Sequence, residues 1–192
     1  MTHTATRPRL SRTFMLLLLC SVFSGGCSSY RVSPYGLSAD NVVRLKTFAQ
    51  GKNVKIAVAA FSSTEANKGL TCRAAGNIRL PEGVTYSSYL RDSLIAELKL
   101  ADLYSEASSR TLRANIDFID FSSSIGNGKW TIRITYSGEG VEKPFTVESV
   151  YGFSTNWVAD KACQQVAQEF VQAVQRTHAK LIEAPEFSKL MN

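Results

Sequence analysis

Residues 112–153 carry the pattern that most limits the fold. Leu112, Ala114, Ile116 and Phe118 alternate with Arg113, Asn115 and Asp117, and Trp130, Ile132, Ile134 and Tyr136 alternate with Thr131, Arg133 and Thr135. Side chains two positions apart share one face of a strand, so both runs predict half-buried strands. Between them Gly126, Asn127 and Gly128 suit a tight turn, because all three tolerate positive φ. A second turn at 137–140 leads to Phe145, Val147, Tyr151 and Phe153 at even spacing. Residues 119–121 spoil the alternation of the first run, which predicts a β-bulge there. The expectation is an antiparallel three-strand meander with one apolar face.

That face needs a cover, and two amphipathic stretches can supply it. In residues 85–99, Tyr86, Leu90, Leu94 and Leu98 recur four apart and Ile95 widens the stripe. A second stripe runs Ala159, Cys163, Val166, Phe170, Val174, Leu181, starting near Thr155 or Asn156 and ending at Pro185. Phe187 and Leu190 are expected to fold back on the domain. Upstream, residues 54–61 predict a strand with Val54, Ile56, Val58 and Ala60 on one face, and 103–107 a brief one. Strand, helix, short strand, meander and helix together predict an α+β two-layer sandwich. Its mostly antiparallel sheet has about four or five strands, with the two helices on one face.

The start of the chain reads as an export signal. Arg7, Arg9 and Arg12 precede the apolar run from Phe14 to Phe23, and Ser24, Gly25 and Gly26 lead into Cys27. The run is too short to cross a bilayer. Ser-Gly-Gly-Cys resembles a bacterial lipobox, in which the cysteine becomes the lipid-bearing first residue. The expected organisation is a removed signal over 1–26, a lipidated N-terminus and tether over 27–52, and a single α+β domain over 53–192. Within the second segment, residues 28–39 show no periodicity and read as flexible chain. Residues 40–50 form a short helix capped by Ser38 or Asp40, with Val43 and Phe48 as its apolar side. Residues 62–83 read as a long polar loop.

Removing the leader leaves two cysteines besides Cys27, namely Cys72 and Cys163, an even pair suited to a disulfide in an oxidising compartment. Three of the 22 basic residues and none of the 16 acidic ones lie in the leader, so the chain beyond it carries a formal charge of only +3. The basic residues are scattered, which argues against nucleic acid as a partner. His178 is the single histidine beyond the leader, lies beside Arg176 and Lys180, and reads as a solvated or edge position. No His/Cys cluster has metal spacing and no Gly-rich phosphate loop occurs, so neither a cofactor nor a catalytic set is expected. Asp117 and Asp120 are the nearest approach to paired carboxylates, and solvent-facing strand positions explain them. The outer strand face, with Arg113, Asn115, Asp117, Arg133 and Thr135, is the candidate partner surface, and the Cys72 loop is a second candidate.

The Cys27 signal, the strand leading into 124–128, the aromatic strand 147–153, the closing helix and the tail Pro185-Glu-Phe-Ser-Lys189 together resemble the YajG-type family of Gram-negative envelope lipoproteins. The resemblance implies a periplasm-facing lipoprotein without catalysis, although the Cys72/Cys163 pair is not part of that pattern. Cys27 is followed by Ser28, not by the Asp that marks inner-membrane retention in enteric-type bacteria, so the inner leaflet of the outer membrane is the expected location. The functional expectation is a non-enzymatic interaction or accessory protein, bound to the membrane by its N-terminal lipid and to an envelope protein partner. The alternative is a small-ligand or lipid-binding accessory of a transport system.

Overall fold

The computed structural model describes residues 28–64 and 69–191, so the leader and Cys27 lie outside the described residues. Its centre is the meander of β6 (Thr111–Ser124), β7 (Asn127–Gly138) and β8 (Phe145–Phe153), paired antiparallel as the alternation requires. Gly126 takes the positive φ of the first turn, at 79°, which leaves Ile125 beside it at the tip. The bulge falls earlier than expected. Register shifts between Ile116 and Phe118, leaving Asp117 as the extra residue. One inserted residue exchanges the two faces of the strand beyond it. Ile119 and Phe121 therefore turn inward, opposite Ile132 and Trp130. Phe118, expected inside, instead lies opposite Arg133 on the outer face, with the guanidinium 5.9 Å from its ring centroid.

The strand expected at 54–61 is broken into two short pieces. β2 (Ala57–Val58) and β3 (Ser62–Ser63) each pair in parallel with β6, completing a five-stranded mixed sheet. Ala60 lies exposed between them, and the strand expected at 103–107 is a single bridge from Ile56 to Tyr104. Helix α2 (Tyr86–Leu100) begins at Thr85, whose side chain and that of Ser88 cap each other's backbone reciprocally. Leu90, Leu94 and Leu98 are wholly buried. Helix α3 (Ala159–Glu183) lies over β6, β7 and β8. The Trp130 indole N–H donates to the Val166 carbonyl at 2.9 Å, and its ring meets Phe170 at 4.8 Å. Tyr86 and Tyr89 of α2 pack on the same Phe170, so both helices share the apolar face as expected. Pro185 opens α4 (Pro185–Leu190), and Phe187 and Leu190 fold back to full burial.

Two stretches differ from their sequence reading. Residues 62–83 are not a structureless loop, and residues 28–39 are not a free tether. β4 (Leu70–Cys72) and β5 (Gly76–Arg79) form a hairpin, and β1 (Ser28–Arg31) adds to it in parallel, making a second, three-stranded sheet. Tyr30 and Val32 are buried in the common core. The helix expected at 40–50 is α1 (Ala39–Ala49), capped by Ser38, but its buried side is Asn41, Val42 and Leu45, while Val43 is exposed. The expected disulfide is present: Cys72 of β4 is bonded to Cys163 of α3, Cα–Cα 5.7 Å, across 91 positions. The N-terminal half of α3 is thus held between the two sheets. Among the described residues no helix is long and apolar enough to cross a membrane.

Candidate functional site

The five residues singled out on the outer strand face do come together there. Asp117, set by the bulge between Asn115 and Thr135, accepts from the Asn115 amide at 2.7 Å and from the Thr135 hydroxyl at 2.7 Å. Thr135 also meets the Thr146 hydroxyl at 2.9 Å, and Asn115 donates to Thr64 at 3.0 Å. Arg133 pairs with Glu148 directly across the β7–β8 ladder at 2.6 Å, and Arg113 pairs with Glu139 at 3.1 Å. Glu139 also accepts from the Thr111 backbone N–H, and these bonds hold its carboxyl below the ordinary range. Both long helices lie on the opposite face, and among the described residues no helix covers this surface. Exposed ion pairs of this kind add little to stability. They remain free to exchange partners.

A second polar constellation was not legible in sequence. His178 is not solvated: it is 1% exposed, at the junction of α1, α2 and α3. Its Nδ1 lies 3.3 Å from Glu97 Oε2, and its Nε2 lies 3.4 Å from Ser93 Oγ, whose own hydrogen goes to the Leu90 carbonyl at 2.9 Å. Both ring nitrogens thus lie within reach of side-chain oxygens. Glu97 Oε1 accepts from the Tyr35 hydroxyl at 2.5 Å and the Asn41 amide at 3.2 Å. Burial alone would raise this carboxyl, but the hydrogen bond and charge of His178, with the bonds from Tyr35 and Asn41, hold it below the ordinary range. Burial and the neighbouring Glu97 charge push the Tyr35 phenol well up. Serine, histidine and carboxylate thus stand in relay order, as nucleophilic catalysis requires. However, Ser93 spends its hydrogen on its own helix and is 3% exposed, and Glu97 is fully buried. The cluster works as a clamp that fastens Tyr35, Ser38 and Asn41 to α2 and α3.

The other sequence candidates separate. Asp120 binds its neighbour's backbone, the Phe121 N–H, at 2.8 Å, and shares no hydrogen bond with Asp117. The Cys72 segment is a hairpin turn whose Arg73 reaches across to the end of β6 and the loop before α3. The aromatics Trp130 and Tyr136 are fully buried core. Among the described residues no His/Cys/Asp/Glu group could hold a metal ion.

Comparison with known proteins gives a fold. No family model matches the chain, and no curated protein matches it. Among solved structures it is similar to protein XCC0632 from Xanthomonas campestris, of family DUF330, with TM-score 0.52 and 10% identity over 84% of this chain and 96% of that one. It also aligns with an uncharacterised protein at TM-score 0.46 and 10% identity, over 81% of this chain and 97% of that one. At such identities the likeness to XCC0632 is one of α+β architecture, extending over nearly the whole of that protein.

Proposed function

We propose that the chain is an exported envelope lipoprotein, anchored through Cys27 and facing the periplasm, whose domain binds another envelope component without catalysing a reaction. The outer membrane's inner leaflet is the favoured site, because Ser28 follows the lipid-bearing cysteine. The observation that carries the reading is the outer face of β6–β8, which no described helix covers and which presents the Asn115–Asp117–Thr135–Thr146 network with the Arg113–Glu139 and Arg133–Glu148 pairs. The Cys72–Cys163 bond supports export to an oxidising compartment. The likeness to XCC0632 agrees with the expected α+β architecture.

Affinity purification from crosslinked envelopes tests this, using the wild type beside an Arg113→Ala, Arg133→Ala variant. The wild type should recover a protein partner that the variant loses, while the variant's thermal midpoint falls by only a few degrees. Equal recovery by both, or none above background, contradicts the reading.

A small-ligand or lipid-binding accessory is the second reading, and it requires an apolar cavity. The space between the large sheet and the helices is filled by Trp130, Phe170, Leu90 and Leu94, each wholly buried. What remains for an apolar ligand is shallow and at the surface, such as the groove of about 420 Å³ lined by Val43, Arg44, Thr47, Phe48, Ile182 and Glu183.

A further inference from the structure

One end of the molecule collects features that belong together. Ser28, the first described residue, pairs with Gly76, beside the turn where the Ala75 N–H donates to the Cys72 carbonyl. Arg73 at that turn donates to Ser123 Oγ and to the carbonyls of Asn156 and Trp157, at 3.1–3.2 Å. The Gly126 N–H in turn donates to the Thr155 carbonyl at 3.2 Å. The chain's entry point, the β6–β7 tip and the loop before α3 are therefore stitched into one surface. It lies at the start of α3, whose Asp160 accepts from the Tyr30 hydroxyl at 2.9 Å. The 25-residue helix carries the fold some 37 Å away from it, at about 1.5 Å per residue.

This surface presents the two most exposed large apolar side chains of the described residues, Trp157 at 76% and Ile125 at 70%. The Trp157 carbonyl and the Gly126 N–H beside Ile125 are both held by the hydrogen bonds above. Arg73 spends its donors on uncharged oxygens and keeps its charge, and Lys129 and Lys161 are exposed nearby, at the starts of β7 and α3. A shallow cavity of about 440 Å³, lined by Arg73, residues 122–124 and Ile125, opens at the same place. Cations with an indole and an aliphatic tip are what an anionic phospholipid interface accommodates.

The position of the anchor decides what covers this face. Cys27 is joined to Ser28 by a single peptide link, a Cα–Cα step of about 3.8 Å, and Ser28 is already paired in β1. Residues 28–31, expected to be flexible chain, are paired with β5 and so add no reach between the anchor and the domain. We infer that this end is a bilayer-contacting face, with Trp157 and Ile125 seated among the headgroups of an anionic phospholipid surface and α3 pointing away from it. The inference rests on the Cys27 anchor, and it adds an orientation: the outer face of β6–β8 then stands beside the membrane, open to a partner in the periplasm.

Trp157 is its own reporter, since the chain's other tryptophan, Trp130, is wholly buried. Lipidated protein is reconstituted into phosphatidylethanolamine–phosphatidylglycerol vesicles, floated, and compared with the Cys27→Ser form in buffer. Tryptophan emission should shift to the blue and iodide quenching should fall several-fold on the vesicles, and Trp157→Phe should abolish both differences. If lipidated protein floats with the vesicles while Trp157 stays as quenchable as in the Cys27→Ser form, the contact face is overturned and the anchor stands. If lipidated and Cys27→Ser proteins float alike, the anchor fails and takes this inference with it.

Discussion

The outer face of β6–β8 and the junction beneath α1 use the same chemistry to opposite ends. Each sets a carboxylate against a base, with hydroxyls and an asparagine beside them. On the outer face Arg133 and Glu148 are about half exposed, so water competes for both, and their pairing is cheap to break. At the junction Glu97 and His178 are at 0% and 1%, and every donor that meets Glu97 comes from another element. A buried charge must be matched or it destabilises the fold. The outer set can therefore give up its partners to another molecule, whereas the inner set cannot.

The comparison breaks first at Glu97. Glu97→Ala strands a buried imidazole and frees three donors, so unfolding in denaturant should show a loss of about 3–5 kcal/mol. A loss under 1 kcal/mol would mean that the junction is hydrated like the outer face. Next comes the disulfide, which holds the small sheet to α3. Cys72→Ala should lower stability by roughly 2–4 kcal/mol, measured the same way, and should loosen β1 as well, because β5 carries it. Smallest is Arg133→Ala, expected to cost less than about 1 kcal/mol. A larger loss would make that ion pair structural and weaken its claim as a free binding group.

Acid sharpens the same contrast. The Glu97 carboxyl is held below its ordinary value of 4.5, so its contribution is complete above that value and is lost as pH falls through the depressed one. Glu139 and Glu183 shift in the same direction, but they are exposed and screened. Stability against pH should therefore fall more steeply below pH 4.5 in the wild type than in Glu97→Gln. Parallel curves would place the acid sensitivity elsewhere.

The meander, both long helices and the Cys72–Cys163 pair were readable because each rests on a local period or on simple parity. The small sheet was not. Its turn uses Arg73 and Ala74 at φ 47° and 54°, where glycine or asparagine is the usual signal. The disulfide at Cys72 and the hydrogen bonds of Arg73 compensate for that strain. Tyr30, Val32 and Tyr35 lie among Ser and Pro without a period, so their docking is visible only once α2 and α3 are in place. His178 misled for the same reason: its partners are Ser93, 85 positions away, and Tyr35, 143 away. The outer face was legible as a surface, but the bulge at Asp117 that knits it together could not be placed from alternation alone.

Photo-crosslinking in intact envelopes tests the central claim most directly. A photoreactive side chain is placed at Arg133 or Thr146 on the outer face, and at exposed Lys99 on α2 as the control. A discrete adduct to one protein from the first two positions, with none from the third, is the predicted result. No adduct from the sheet face, or the same adduct from Lys99, would contradict it.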